Sequence, residues 1–151
     1  MIKTGCLAAC VALASTFITG ALANTNGEYL GAPFANDTAL RRFSDSLMDL
    51  LSVGKIEQAG RLARENSHLD DPVVQQNLDE VFNDLVNNTL VGTAPVVRYV
   101  QNSKFGRSFI RHQYALVAED SSMRCMITYR RKTDGWRLNQ LWCNHHAMQS
   151  P

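Results

Sequence analysis

His112, Tyr114 and Tyr129 are the residues of this sequence whose types and spacing best suit a small binding pocket. An imidazole and two phenol groups can each donate or accept a hydrogen bond, so together they can hold a polar ligand. Alternation along a strand places His112 and Tyr114 on one face of a sheet. The three residues form a candidate pocket, although the interpretation we favour for His112 is a histidine whose hydrogen bonds are satisfied inside the fold.

Catalytic motifs are missing around this histidine. No Asp or Glu falls beside His112 on the inferred face, although Asp70, Asp71 or Asp79 could approach from the helices. The sequence contains neither a nucleophile elbow nor a glycine-rich phosphate loop. These observations favour a non-enzymatic domain with no catalytic residue and no cofactor. A small lyase or isomerase working in the pocket around His112 is the alternative function.

Arginine and tryptophan residues mark the opposite face of the same predicted sheet. In the inferred register Arg111 faces Arg130, and like charges at facing positions are unfavourable unless an anion or acidic group bridges them. We predict an interaction face for an acidic partner, or for a homodimer, made of Arg111, Arg124, Arg130, Trp136 and Trp142. The interpretation we favour for these arginines is that they are solvated and stacked on the two tryptophans.

The second half of the chain supplies the strands that position both faces. Runs rich in β-branched and aromatic residues, separated by turn residues, predict a four-stranded antiparallel meander at residues 96–101, 107–119, 123–132 and 136–144. A tight turn at residues 120–121 pairs Glu119 with Ser122, and this register sets His112 opposite Tyr129.

The two cysteines in the strand half provide a check on how the third and fourth predicted strands pair. A three-residue loop at residues 133–135, with Gly135 in the left-handed conformation, places Cys125 directly opposite Cys143. Facing Cβ atoms are about 4.5–5.5 Å apart, close to what a disulfide needs. We predict a Cys125–Cys143 disulfide and no metal site, because His145 and His146 beside these cysteines make an incomplete ligand set for zinc.

Three helices are predicted before the strands. Apolar residues recur at helical spacing over residues 38–52 and 56–65, and again from Pro72 to about residue 87. Asp37 or Thr38 can cap the first helix and Gly54 can end it, while Asp71 can cap the third. The predicted fold is therefore α+β, with three N-terminal helices packed on a curved four-stranded antiparallel sheet.

The N-terminus has the pattern of a secretory signal peptide. One charge at Lys3 precedes an apolar stretch from Leu7 to Ile18, and Ala21 and Ala23 form a small-x-small cleavage pattern. We predict a signal peptide over residues 1–23 and export to the periplasm or the medium. Lipidation of Cys10 within a lipobox-like segment is the alternative.

Cleavage after Ala23 leaves a neutral chain, because Lys3 accounts for the net charge of +1. Neutrality gives no electrostatic argument for nucleic-acid or membrane-surface binding, and no stable membrane span is expected after cleavage. The mature chain divides into a flexible leader at residues 24–36, a single α+β domain at 37–146 and a disordered tail at 147–151. We expect it to bind an unknown small ligand or an envelope protein.

The order of elements resembles the nuclear transport factor 2-like superfamily, also described as a cystatin-like α+β roll. Two segments are similar to small exported members: the short helix that follows a glycine at residues 54–59, and the closing hairpin at residues 134–138. The likeness covers about residues 38–144. It implies a roll with a cavity between sheet and helices, and it implies no particular function, because this fold hosts enzymes, binders and scaffolds.

Overall fold

The structure, a computed structural model, describes residues 31–87, 95–119 and 121–147, with side chains as far as residue 144. Within these ranges it has three helices followed by one four-stranded antiparallel sheet with the strand order β1-β2-β3-β4. The elements are α1 Asp37–Ser52, α2 Ile56–Glu65, α3 Pro72–Asn87, β1 Val96–Phe105, β2 Phe109–Val117, β3 Ser121–Lys132 and β4 Gly135–Ala147. The predicted α+β class and the antiparallel meander are confirmed. The predicted signal peptide lies outside the described residues.

Local capping explains where α1 begins and how its connection to α2 turns. The side chain of Asn36 accepts a hydrogen bond from the Ala39 amide at 3.0 Å, so the cap is Asn36 and not the predicted Asp37 or Thr38. After the helix, Gly54 has φ 72°, the left-handed conformation predicted for it. Short-range sequence signals therefore determine both boundaries.

The start of α3 also agrees with its sequence signal. Oδ1 of Asp71 accepts hydrogen bonds from the amides of Val73 and Val74 at 3.1 and 3.4 Å. Pro72 occupies the first helical position, where no amide donor is needed. The helix then contributes four buried residues to the core, which are Val74, Leu78, Phe82 and Leu85.

One apolar core joins the helices to a single face of the sheet. The sheet supplies alternate residues to this core, as the regular burial pattern of β2 shows. Phe34, in the predicted leader, is also buried and exchanges two backbone hydrogen bonds with Trp136. The largest fully buried side chains are Leu40, Phe43, Leu47, Met48, Leu78, Ile110, Tyr114, Leu116, Ile127, Tyr129, Leu138 and Leu141.

The hairpin between β3 and β4 has the predicted cysteine pair but differs from the predicted register near its loop. Cys125 faces Cys143 as predicted, and the two form a disulfide. The three-residue loop is wrong, because Lys132 faces Gly135 and the loop has two residues. A bulge offsets the difference: Thr128 faces Gln140 and Tyr129 faces Leu138, which leaves Asn139 as the extra residue.

This bulge also changes which face of the sheet part of β4 occupies. The predicted register placed Leu138 and Trp136 on the face away from the helices. Leu138 is instead fully buried, and Trp136 is half-buried against the core. One extra residue reverses the side-chain alternation, so every β4 residue before the bulge moves to the other face.

The turn between β2 and β3 is wider than predicted. Val117 faces Ser122, so the pairing differs by two residues from the predicted Glu119–Ser122 pair. A shift of two keeps each residue on its predicted face and changes only its partner. His112 therefore faces Ile127 rather than Tyr129, and Arg111 faces Thr128 rather than Arg130.

In the part of the chain that the structure describes, no helix is both long and apolar enough to cross a membrane.

Candidate functional site

A hydrogen-bonded polar cluster lies inside the core, between α1 and the sheet. The Ser44 hydroxyl lies 2.8 Å from Nδ1 of His112 and 2.5 Å from the Tyr129 hydroxyl. The Tyr129 hydroxyl also donates to the carbonyl oxygen of Leu40 at 3.3 Å. The side chains of Ser44, His112 and Tyr129 are all at most 1% exposed. The structure thus links His112 to Tyr129 through a serine that sequence reasoning did not single out.

The position of Ser44 follows from the periodicity of α1. It lies four residues after Leu40 and three before Leu47, on the face that packs against the sheet. A serine within an apolar helical stripe must find a hydrogen-bond partner when it is buried. This conflict between position and polarity was the one sequence signal that could have identified the residue.

Tyr114 belongs to a second hydrogen-bonded group, which reaches the surface. Its hydroxyl donates to Oδ1 of Asp45 at 2.7 Å, and Arg41 donates to the same oxygen at 2.8 Å. The Arg41 guanidinium also lies 3.4 Å from the ring centre of Tyr99, whose ring is 5.3 Å from that of Tyr114. The Arg41 and Asp45 side chains are 40% and 45% exposed, so this second group reaches the solvent.

Burial determines the protonation of His112 and Tyr114. Desolvation lowers the pKa of His112 to about 4, with a further lowering from the nearby Arg41 charge, so the imidazole is neutral at physiological pH. Desolvation raises the pKa of Tyr114, and its hydrogen bond to Asp45 acts in the same direction. His112 and Tyr114 are therefore both neutral at physiological pH.

The surroundings of His112 suit hydrogen bonding better than proton transfer. Among the described residues, no carboxylate forms a hydrogen bond with His112, and Ser44 occupies its Nδ1 atom. Three grooves lined by described residues lie elsewhere on the molecule and include none of His112, Tyr114 or Tyr129. The pocket around these residues stays a prediction.

The face of the sheet away from the helices has a distinct composition. Four neighbouring rows of facing residues on this face are taken here as the arginine face, and the adjoining row of Val96, Val117, Ser122 and His146 is not included. Within these rows, five residues are arginine and none is acidic, and most side chains are exposed or half-buried. The rows are Phe105, Phe109, Arg130 and Arg137; Ser103, Arg111, Thr128 and Gln140; Gln101, Gln113, Met126 and Trp142; and Arg98, Ala115, Arg124 and Asn144.

The arginine face retains four of the five predicted interaction residues and rearranges two of them. Trp136 is not on it, because the β4 bulge turns this residue toward the core. Arg111 does not face Arg130; its Nε donates to the Thr128 hydroxyl at 3.4 Å and its guanidinium lies over the Phe105 ring. Trp142 is 37% exposed and lies beside Met126.

The helical and strand halves of the chain carry opposite net charges. These charges nearly cancel, so the net charge of the whole chain does not reveal them. Residues 37–87, which hold the helices, contain ten acidic and five basic residues. Residues 96–147, which hold the strands, contain nine basic and three acidic residues. Counting charged residues separately in each half of the sequence reveals this difference, whereas the net charge of the whole chain does not. The sheet is therefore a positive layer and the helices are a negative one.

The remaining predicted site is structural. The Cys125–Cys143 disulfide joins β3 to β4 next to Trp142. No group of three or more His, Cys, Asp or Glu side chains within the described ranges could hold a metal ion. The side chains of His145 and His146 lie outside those described.

Comparison with known proteins does not assign this chain to a family. No family model and no curated protein matches it.

Proposed function

We propose that this protein is an exported, non-catalytic binding module whose arginine face binds an acidic segment of another protein. The predicted signal peptide is the basis for export, and the disulfide is compatible with an oxidising compartment. The observation that carries the binding proposal is a sheet face with five arginines and no carboxylate in its four rows. Such a face attracts negative charge and repels positive charge.

The aromatic and apolar residues of the arginine face favour a protein partner. Trp142, Phe105, Phe109 and Met126 lie among the arginines. Aromatic residues, Met and Arg are the residue types enriched at protein interfaces, and Trp and Arg are frequent among those that dominate the binding energy. A partner with acidic and apolar side chains would satisfy both components of this surface.

Two alternatives have less support. A homodimer that joined two copies of this face would set the arginines of one copy against those of the other, which is unfavourable. A lyase or isomerase around His112 would need access to a side chain that is 1% exposed and already bonded to Ser44. We therefore place binding on the sheet surface rather than in the core.

Calorimetric titration with a defined acidic peptide tests the proposal. The probe is a synthetic peptide of alternating Glu and Gly, and its matched control replaces each Glu by Gln. We expect binding of the Glu peptide only, weakened by added salt because exposed charges are screened. Arg124→Gln or Arg98→Gln should each weaken binding about two- to five-fold, the range of about 0.4–1 kcal/mol for an exposed ion pair.

The control variant is Arg61→Gln, which removes an exposed arginine from α2 and leaves the sheet unchanged. It should bind like the wild type. Equal binding of the Glu and Gln peptides, or equal weakening by Arg61→Gln and Arg124→Gln, would contradict the proposal. Tight binding of single-stranded DNA with the same sensitivity to Arg124→Gln would show that the face recognises phosphate instead.

A further inference from the structure

A groove of about 420 Å³ lies where the start of α3 meets the bulge in β4. Its lining includes Asn139, the extra residue of the bulge, and the adjacent Gln140. Bulges redirect side chains and are frequent beside binding sites. The local break in strand pairing is therefore the structural feature that exposes polar side chains to this groove.

Arg130 connects the groove to the arginine face. It lines the groove and also lies in the same row of the sheet as Phe109 and Arg137. Arg137 is paired with Asp134, whereas none of the ion pairs between described residues includes Arg130. The groove thus presents an exposed guanidinium at the margin of the arginine face, whose four rows contain no acidic residue.

Carboxamide groups supply further donors around this guanidinium. Oδ1 of Asn77 accepts a hydrogen bond from the Leu141 amide at 3.1 Å, so its NH2 group is the part of the side chain not used in that bond. Asn139 and Gln140 carry the same type of donor. A guanidinium accompanied by amide N–H donors suits a carboxylate, which accepts several hydrogen bonds at once.

Asp71 limits the charge of a ligand in this groove. It lines the groove, and its Oδ1 is held by the amides of Val73 and Val74. A fixed carboxylate nearby repels an anion in proportion to the anion's charge. Sulfate or phosphate would therefore be disfavoured relative to a singly charged carboxylate, whose peptide N–H could in turn donate to Asp71.

We propose that this groove is the anchor pocket of the arginine face and takes one Glu or Asp side chain of the acidic partner, with Arg130 as the charged contact and the carboxamides of Asn77, Asn139 and Gln140 as neutral donors. The inference rests on the proposed function and specifies its central contact. Anchor side chains seated in concave sites dominate many protein interfaces, while contacts around them contribute little. Arg130 should therefore matter more than any other arginine of the face.

Nuclear magnetic resonance of the nitrogen-15-labelled protein tests the pocket directly. The probes are N-acetyl-glutamate N-methylamide, its glutamine counterpart and sulfate. The glutamate compound should shift the side-chain amide signals of Asn77, Asn139 and Gln140, and the other two probes should not. Arg130→Gln should abolish the shifts, and it should weaken binding of the Glu-Gly peptide ten-fold or more, against two- to five-fold for Arg124→Gln.

The outcomes separate this inference from the proposed function. Peptide binding that Arg130→Gln and Arg124→Gln weaken equally would overturn the anchor pocket while the arginine face stands. Groove shifts caused by sulfate as strongly as by the glutamate compound would also overturn it. Groove shifts with the glutamate compound, but no peptide binding to the wild type, would uphold carboxylate recognition and overturn the proposed function. Arg130 is exposed, so the amide spectrum of its variant should show an unchanged fold.

Discussion

Ser44 joins α1 to the sheet because its hydroxyl lies 2.8 Å from Nδ1 of His112 and, at the same time, within hydrogen-bond reach of Tyr129. One small side chain thus satisfies two buried polar groups that come from different strands. An unsatisfied polar group inside a core costs about 1–3 kcal/mol. The hydroxyl of Ser44 should therefore contribute to stability.

We expect Ser44→Ala to lower the free energy of unfolding by about 1–3 kcal/mol, because His112 and Tyr129 would each lose a buried partner. The alanine itself suits a helix interior, so helix propensity does not cause the loss. Urea denaturation measures the change. The matched control is Ser52→Ala at the end of α1, where the hydroxyl bonds only to the Asp49 carbonyl oxygen near the surface. Equal effects of the two substitutions would contradict the role of the cluster.

The protonation of His112 predicts how stability depends on pH. Burial lowers its pKa in the folded protein to about 4, below its ordinary value of 6.5. As pH falls, the unfolded chain therefore takes up a proton at this histidine before the folded protein does. The contribution of the neutral histidine to stability is complete above pH 6.5 and is lost as pH falls to 4. The loss is of order 3 kcal/mol over that window. Denaturant midpoints measured between pH 7 and pH 4 give the slope.

A histidine variant separates this source of pH dependence from others. His112→Gln should be less stable at pH 7 and should show a shallower decline toward pH 4. His68 is also buried and its pKa is also lowered, so a smaller slope should remain in this variant. Asp70 acts only below its ordinary pKa of 3.8, outside the window. An unchanged slope in His112→Gln would rule out His112 as the titrating group.

The disulfide should stabilise the hairpin that carries Trp142. Cys125 and Cys143 have a sequence separation of 18. Closing a loop of this size lowers the entropy of the unfolded chain, which raises the free energy of unfolding by about 3 kcal/mol. We expect the Cys125→Ser, Cys143→Ser double variant to unfold at correspondingly lower urea concentration. Reduction of the wild type should give the same midpoint as the double variant. A reduced protein with the midpoint of the oxidised one would show that the bond contributes nothing.

Local signals in the sequence predicted the helices and the cysteine pair, but not the site that joins distant elements. The bounds of α2 and the cap at Asp71 depend on neighbouring residues, so they could be predicted directly. The bulge at Asn139 could not, because no glycine or other local signal marks it there. The extra residue of this bulge compensates for the β3–β4 loop being one residue shorter than predicted. Cys125 and Cys143 therefore still face each other. The contacts of Ser44 were also beyond the sequence, because they depend on how α1 lies against two strands.

Gly135 is a position where backbone conformation and close contact both require glycine. Its φ is 133°, and a Cβ added there would lie 2.7 Å from Cβ of Pro33. An alanine would have to shift the segment that holds Phe34 against Trp136. We expect Gly135→Ala to lower the free energy of unfolding by about 2–4 kcal/mol, since backbone strain of about 1–3 kcal/mol adds to the loss of this packing.

Gly106→Ala is the control for this substitution. Gly106 also has a positive φ, 61°, but no atom lies within 4 Å of an added Cβ. Only the left-handed backbone should penalise alanine there, at about 1–2 kcal/mol. Thermal unfolding of the two variants compares them directly. If Gly106→Ala were as destabilising as Gly135→Ala, the contact between Pro33 and the hairpin would have no energetic role.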